Sequence, residues 1–200
     1  MLKRRGLEPR HGRRGRAAVL ALDLISDFDF PDGPAVRRAL ERRAGNLQLL
    51  MEHARRARVP LIYCNDNQGE WRSDAPRLVR ECTRPNLPGA GLVKALQPRE
   101  QDLVVLKPRH SAFFGTPLVA LLDDAQVDTL VICGVSAESC VWMTACDAHT
   151  RAFSLIIPAD TVAGASAPAL RRTLTSLTEV LGARVPRHAS SLRFQRGRLA

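Results

Sequence analysis

Short runs of apolar residues alternate along the chain with longer stretches in which apolar positions recur every three or four residues. The runs are AAVLALDL (17–24), PLIYCND (60–66), DLVVLKP (102–108), TLVICGV (129–135) and SLIIPAD (154–160), with a weaker sixth at ARVPR (183–187). They are nearly continuous in apolar character, the mark of parallel strands buried on both faces. Helical spacing covers about 34–58, a shorter piece near 90–97, then 117–125, 139–152 and 167–181. This alternation predicts a doubly wound α/β fold: a mostly parallel six-stranded sheet with helices on both faces, a Rossmann-like three-layer arrangement with right-handed crossovers.

One stretch breaks the pattern. Residues 66–89, DNQGEWRSDAPRLVRECTRPNLPG, are rich in Pro, Asn, Asp and Gly and too long for a plain connector. Two readings stand side by side: a lid or pocket wall with Trp71 facing a ligand, or a surface excursion containing a short helix.

Composition adds one domain and little else. A chain of 200 residues, 45% hydrophobic, can bury a single sizeable core. The formal charge of +10 is concentrated at the ends: residues 1–16 carry +6 and residues 184–200 carry +5, leaving −1 for 17–183. The expected organisation is therefore a globular domain over 17–183 between two basic, solvated and partly disordered tails, 1–16 and 184–200. A single phenylalanine, Phe194, stands among the arginines of the two ends, too little aromatic surface to stack bases, which argues against a nucleic-acid partner. No run reaches the roughly 20 apolar residues of a membrane span, and no cleavage site follows the basic start. Five cysteines, at 64, 82, 133, 140 and 146, form no CxxC pair and no even framework. A reducing compartment, the cytoplasm, is the expected location.

In open α/β sheets, ligands bind beyond the carboxyl ends of the strands. There the chain places Asp23, then Asn65 and Asp66, then Lys107, and after the fourth strand Cys140. A thiol near a helix N-terminus is a candidate nucleophile, because the helix dipole favours the thiolate. Each residue also has a plainer role open to it: Asp23 as a loop cap, Lys107 as a solvated strand end, Cys140 as packing. Three reactive types at three strand ends favour a site. No GxGxxG, GxxxxGK[ST] or GxSxG occurs, so neither a nucleotide cofactor nor a serine nucleophile is indicated. The five histidines are scattered, and His110 and His149 near the rim read as surface or supporting residues.

Asp23 in ALDLISDF, Lys107 in VVLKPRHSAFFGTPL and Cys140 in VICGVSAESCVWMTACDA resemble, in order and spacing, the three signature segments of the isochorismatase-like cysteine hydrolases. The resemblance implies an Asp23–Lys107–Cys140 triad that hydrolyses a C–N bond of a small amide, ureide or carbamoyl compound through a thioester. In it Asp23 is the base and Lys107 lowers the thiol pKa further. It also implies an oxyanion hole from the backbone of Ser136, Ala137 and Cys140, beside a cis peptide at Val135–Ser136. Phe28, Asn65, Asn67, Trp71 and Phe113, with Phe114 as a further candidate, are the expected substrate-pocket residues, at least one of Phe113 and Phe114 being expected in the core instead. Metal-binding members carry histidines where this chain has Gln68 and Glu81, so no metal and no cofactor is expected. The expected partners are a small-molecule substrate and copies of the same chain, in a dimer or tetramer. A different reading is a non-catalytic relative that acts as an interaction protein through its basic ends.

Overall fold

A computed structural model describes residues 15–199; the first fourteen residues of the expected amino-terminal tail lie outside the described residues. The elements in order are β1 (Ala17–Leu22), α1 (Gly33–Glu41), α2 (Ala44–Arg56), β2 (Leu61–Asp66), α3 (Ala75–Cys82), α4 (Ala90–Leu96), β3 (Leu103–Lys107), α5 (Leu118–Asp124), β4 (Thr129–Gly134), α6 (Trp142–Thr150), β5 (Ser154–Ile156), α7 (Ala167–Leu181), β6 (Phe194–Gln195) and β7 (Arg198–Leu199). The main sheet is parallel throughout, in the order β3-β2-β1-β4-β5. Its central strands β1 and β4 are buried along their whole length, which is why their sequences are apolar on both faces.

Two apolar clusters flank the sheet. One joins alternate β1 residues, such as Val19 and Ala21, to Leu40, Leu47, Met51 and Tyr63; the other joins Leu20 and Leu22 to Leu118, Ala145 and Leu177. The period-2 pleat of the strand sends alternate side chains into opposite layers.

Three departures from the sequence expectation have physical causes. The sheet has five strands rather than six: around Arg184 a single parallel bridge to Ile156 forms, and Pro186, which has no N–H to donate, follows at once. The helical pattern over 34–58 divides into α1 and α2 where its buried stripe meets Arg43, whose guanidinium turns back to the Ala39 carbonyl at 2.9 Å.

The third concerns the C-terminal residues, which do not form a solvated tail. Ala189 and Leu192 are buried in the same cluster as β1, and Phe194 packs edge-on against His53. The β6–β7 hairpin is tied down by Gly197 N donating to the Ala57 carbonyl at 2.7 Å and Ala17 N donating to the Gly197 carbonyl at 3.2 Å. The arginines of this segment dominate its composition, but its few apolar residues decide where it packs.

The irregular stretch 66–89 contains α3, and its first residues, Asp66 and Gln68, stand on the wall of a cavity. Asp74 caps that helix by accepting from Arg77 N at 2.7 Å, and Pro76 fits the first turn.

Candidate active site

Parallel register brings the reactive side chains together. Leu22, the last residue of β1, pairs with Cys64 on one side and Gly134 on the other, and Asp66 of β2 pairs with Lys107 of β3. Asp23, Asp66, Lys107 and the segment leading to Cys140 therefore leave four adjacent strands at one end of the sheet. The β4 exit needs glycine: Gly134 has φ +110°, and a Cβ there would stand 2.1 Å from the Leu22 carbonyl oxygen. The Val135–Ser136 peptide is cis. A π-helical turn, Ala137–Val141, then presents Cys140 before α6 begins.

Asp23 is held in the left-handed region, φ 50°, which a short polar side chain tolerates. Its Oδ1 accepts from the Asp66 N–H at 2.7 Å, and its Oδ2 faces Lys107 Nζ at 2.8 Å. Lys107 is fully buried, with Nζ also 3.5 Å from Cys140 Sγ and 4.0 Å from Asp66 Oδ2. A buried ammonium needs such anionic company, because desolvation alone would cost it its proton. Here burial pulls Lys107 down, and interactions led by the Asp23 carboxyl group outweigh it, so its pKa stands above the ordinary value.

The cysteine differs from the expectation. Burial, reinforced by the Asp23 carboxylate, pushes the Cys140 thiol up to about 12 although Lys107 pulls the other way. Burial also raises the Asp23 carboxyl against the pull of Lys107. The shift at the sulfur favours a protonated thiol over a standing thiolate. Desolvation of the sulfur, the largest influence on it, opposes the thiolate that a helix-start position favours.

These groups sit at one end of a cavity of about 640 Å³ lined by Asp23, Ile25, Ser26, Asp27, Phe28, Asp29, Phe30, Asn65, Asp66, Gln68, His110, Val135, Ser136, Ser139 and Cys140. A cavity of similar size, about 620 Å³, opens among Arg16, Arg56, Arg58 and Arg196 at the other end of the strands, and no nucleophile lines it.

Of the residues expected in the pocket, Phe28 and Asn65 line it and three do not. Trp71 is 79% exposed and lies outside. Asn67 is buried, with its Oδ1 accepting from Gly69 N at 3.0 Å to close a turn. Phe113 is core, tilted against Phe153 with the Arg151 guanidinium 5.0 Å from its ring centre. Phe114 is exposed and lies outside as well. Asn65 itself braces the loop after β1, accepting from Ile25 N at 3.3 Å and donating to the Ile25 carbonyl at 2.6 Å.

Among the expected oxyanion donors, Ala137 is spoken for: its N–H donates to the Ala163 carbonyl at 2.8 Å. Ser136 lines the cavity, and its N–H has no protein acceptor among the described residues.

His110, read from the sequence as a surface or supporting residue near the rim, has its Nδ1 3.6 Å from Cys140 Sγ. Its place three residues after Lys107, on the same strand exit, was the available signal for that contact. Sequence reasoning passed over Asp27, Asp29 and Phe30. At the positions compared with metal ligands, Gln68 Nε2 faces Cys82 Sγ at 4.0 Å and Glu81 pairs with Arg77 at 2.9 Å. Among the described residues no cluster of three or more His, Cys, Asp or Glu side chains is placed to hold a metal ion. No described helix is long and apolar enough to cross a membrane.

Known proteins resemble this chain in sequence and fold. It is 35% identical over 168 residues to the uncharacterized isochorismatase family protein YaaI of Bacillus subtilis (strain 168), spanning 84% of this chain and 92% of YaaI. It is 31% identical over 170 residues to the N-carbamoylsarcosine amidase of Arthrobacter sp, spanning 79% of this chain and 63% of the amidase. In fold it matches an isochorismatase-like hydrolase from Alkaliphilus metalliredigens with a TM-score of 0.71, at 24% identity over 88% of this chain and 94% of that one. The Isochorismatase domain matches residues 17–189, from the first strand to the buried Ala189, and by that match the chain belongs to the isochorismatase family.

Proposed function

We propose that this protein is a cysteine hydrolase cleaving a C–N bond of a small amide, ureide or carbamoyl compound. The observation that carries the reading is Lys107 Nζ lying between Asp23 Oδ2, at 2.8 Å, and Cys140 Sγ, at 3.5 Å, against an open cavity. Its family membership and its 31% identity to an amidase support the same chemistry.

Because the thiol is protonated at rest, attack and proton transfer go together. Cys140 Sγ bonds to the carbonyl carbon while Asp23 takes the thiol proton, with Lys107 holding both partners in place. The oxyanion that develops is received by backbone N–H groups, with Ser136 the leading donor. Collapse breaks the C–N bond, and the amine leaves with the proton from Asp23. Water, losing its proton to Asp23, then cleaves the thioester, and Cys140 recovers its hydrogen. Lys107 stays charged throughout.

The test is ammonia or amine release from a panel of small amides, ureides and carbamoyl compounds by the native chain and by Cys140→Ala. Turnover abolished in the variant, with an acyl adduct trapped on Cys140 of the native chain, is the expected result. Equal turnover by both would overturn the reading.

A further inference from the structure

The cavity wall has a charge opposite to that of the protein. The chain carries +10, yet the residues lining this cavity include four aspartates, at 23, 27, 29 and 66, and no arginine or lysine. Lys107, which does not line the cavity, is fully buried and matched by Asp23 at 2.8 Å, with Asp66 further off at 4.0 Å. Asp27 and Asp29 form no ion pair among the described residues; Asp27 Oδ1 accepts only from the Asp29 N–H, at 3.1 Å. Acidic residues alone would be a solvated rim, but these share a cavity with the nucleophile. The loop that presents them also places Phe28 and Phe30 on the wall.

We propose that the cavity selects cationic substrates: small amides or ureides bearing an ammonium, amidinium or guanidinium group, whose charge is received by Asp27 and Asp29 while the scissile carbonyl reaches Cys140. The proposal rests on the hydrolase reading for its chemistry and on the aspartates for its specificity. The half-buried Asp27 attracts a cation more strongly than a carboxylate in open water, and together with the exposed Asp29 it repels an anionic substrate of the same shape. Discrimination therefore comes from both signs of the field. Phe28 and Phe30 supply apolar surface for the methylene stem that separates charge from carbonyl.

Two measurements test this, the first without any turnover. In a Cys146→Ala background, Cys140 is labelled with 2-aminoethyl methanethiosulfonate, a cation, and with the 2-sulfonatoethyl reagent, an anion. Each rate is divided by that of the same reagent with free 2-mercaptoethanol, and mass spectrometry locates the label. A cationic preference of roughly tenfold or more at low salt, collapsing towards unity at high salt and in Asp27→Asn/Asp29→Asn, is expected. Asparagine keeps the Oδ1 acceptor used by Asp29 N, so the loop geometry is preserved. Equal rates, or an anionic preference, would overturn the proposal.

The second measurement compares ammonia release from 4-aminobutanamide, pentanamide and succinamate, which differ chiefly in end-group charge. Highest kcat/KM for the cationic amide, reduced in the double variant relative to succinamate, supports charge selection; a preference for succinamate overturns it. No turnover of any amide alongside an intact reagent preference overturns the hydrolase reading and leaves the cation-selective field standing.

Discussion

Lys107 and Asp23 form an ion pair at 2.8 Å in which the lysine side chain is wholly removed from solvent. The pair is tethered at its other end, because Asp66 N–H holds the second Asp23 oxygen at 2.7 Å. Removing one partner would strand the other as a buried, unmatched charge. Lys107→Met should therefore cost about 3–5 kcal/mol of stability as well as activity. The double variant Asp23→Asn/Lys107→Met should recover part of the stability and none of the activity. Urea unfolding beside amide turnover measures both, and a single variant as stable as the native chain would show that the pair carries no such penalty.

The thiol dictates a pH dependence. Its folded pKa, about 12, stands above the ordinary 9.0, so folding favours the protonated form. That contribution is fully present below about pH 9 and is lost as pH rises through the folded value. Stability should fall above pH 9, and less steeply in Cys140→Ala. Alkylation of Cys140 by iodoacetamide should keep accelerating above pH 9. A rate plateau near neutrality would instead reveal a thiolate.

His110 touches the nucleophile, with Nδ1 at 3.6 Å from the sulfur. His110→Ala should lower kcat/KM by about a hundredfold to ten-thousandfold, the range for one positioned acid or base group. The fold should be unaffected, since the side chain is exposed at the cavity. Steady-state kinetics with circular dichroism distinguishes this from a structural effect, and unchanged kinetics would remove His110 from the mechanism.

Gly134→Ala tests the strand exit. A methyl group there meets the Leu22 carbonyl at 2.1 Å on a backbone with φ +110°, and backbone cannot yield as a flexible side chain can. A loss of at least about 2 kcal/mol is expected by chemical denaturation, with activity lost alongside because β1 and β4 carry Asp23 and Cys140. Native-like stability would mean the strands part without cost.

The C-terminal segment should behave as core. Leu192→Ala removes a side chain with no solvent exposure from the cluster that includes β1, and about 2–5 kcal/mol should be lost. A change within about 0.5 kcal/mol, the range of surface substitutions, would restore the picture of a free tail.

Much of this protein was written in its order of residues. Alternating buried strands and amphipathic helices require a parallel sheet, and a parallel sheet sends Asp23, Lys107 and the Cys140 segment to one end whatever the loops do. Local sequence could not decide how many solvent contacts each group would lose. Cys140 read as an activated thiolate from its helix-start position, and only the packed site showed burial winning over Lys107 and raising the thiol. Trp71 and Phe113 read as ligand-facing aromatics, but one points to solvent and the other fills the core, a difference of tertiary position that no periodicity encodes. Arg-rich composition hid the packing of Ala189 and Leu192, because charge averages over a segment while burial is decided residue by residue. The aspartates after β1 were visible in ISDFDF, yet their meeting with the nucleophile in one cavity depends on the left-handed turns at Asp23 and Phe28, which the assembled sheet and its loops impose. Sequence determined the sheet and the reactive rim, since both follow from local patterning; tertiary structure decided protonation, pocket membership and charge, since each depends on what surrounds a group in space.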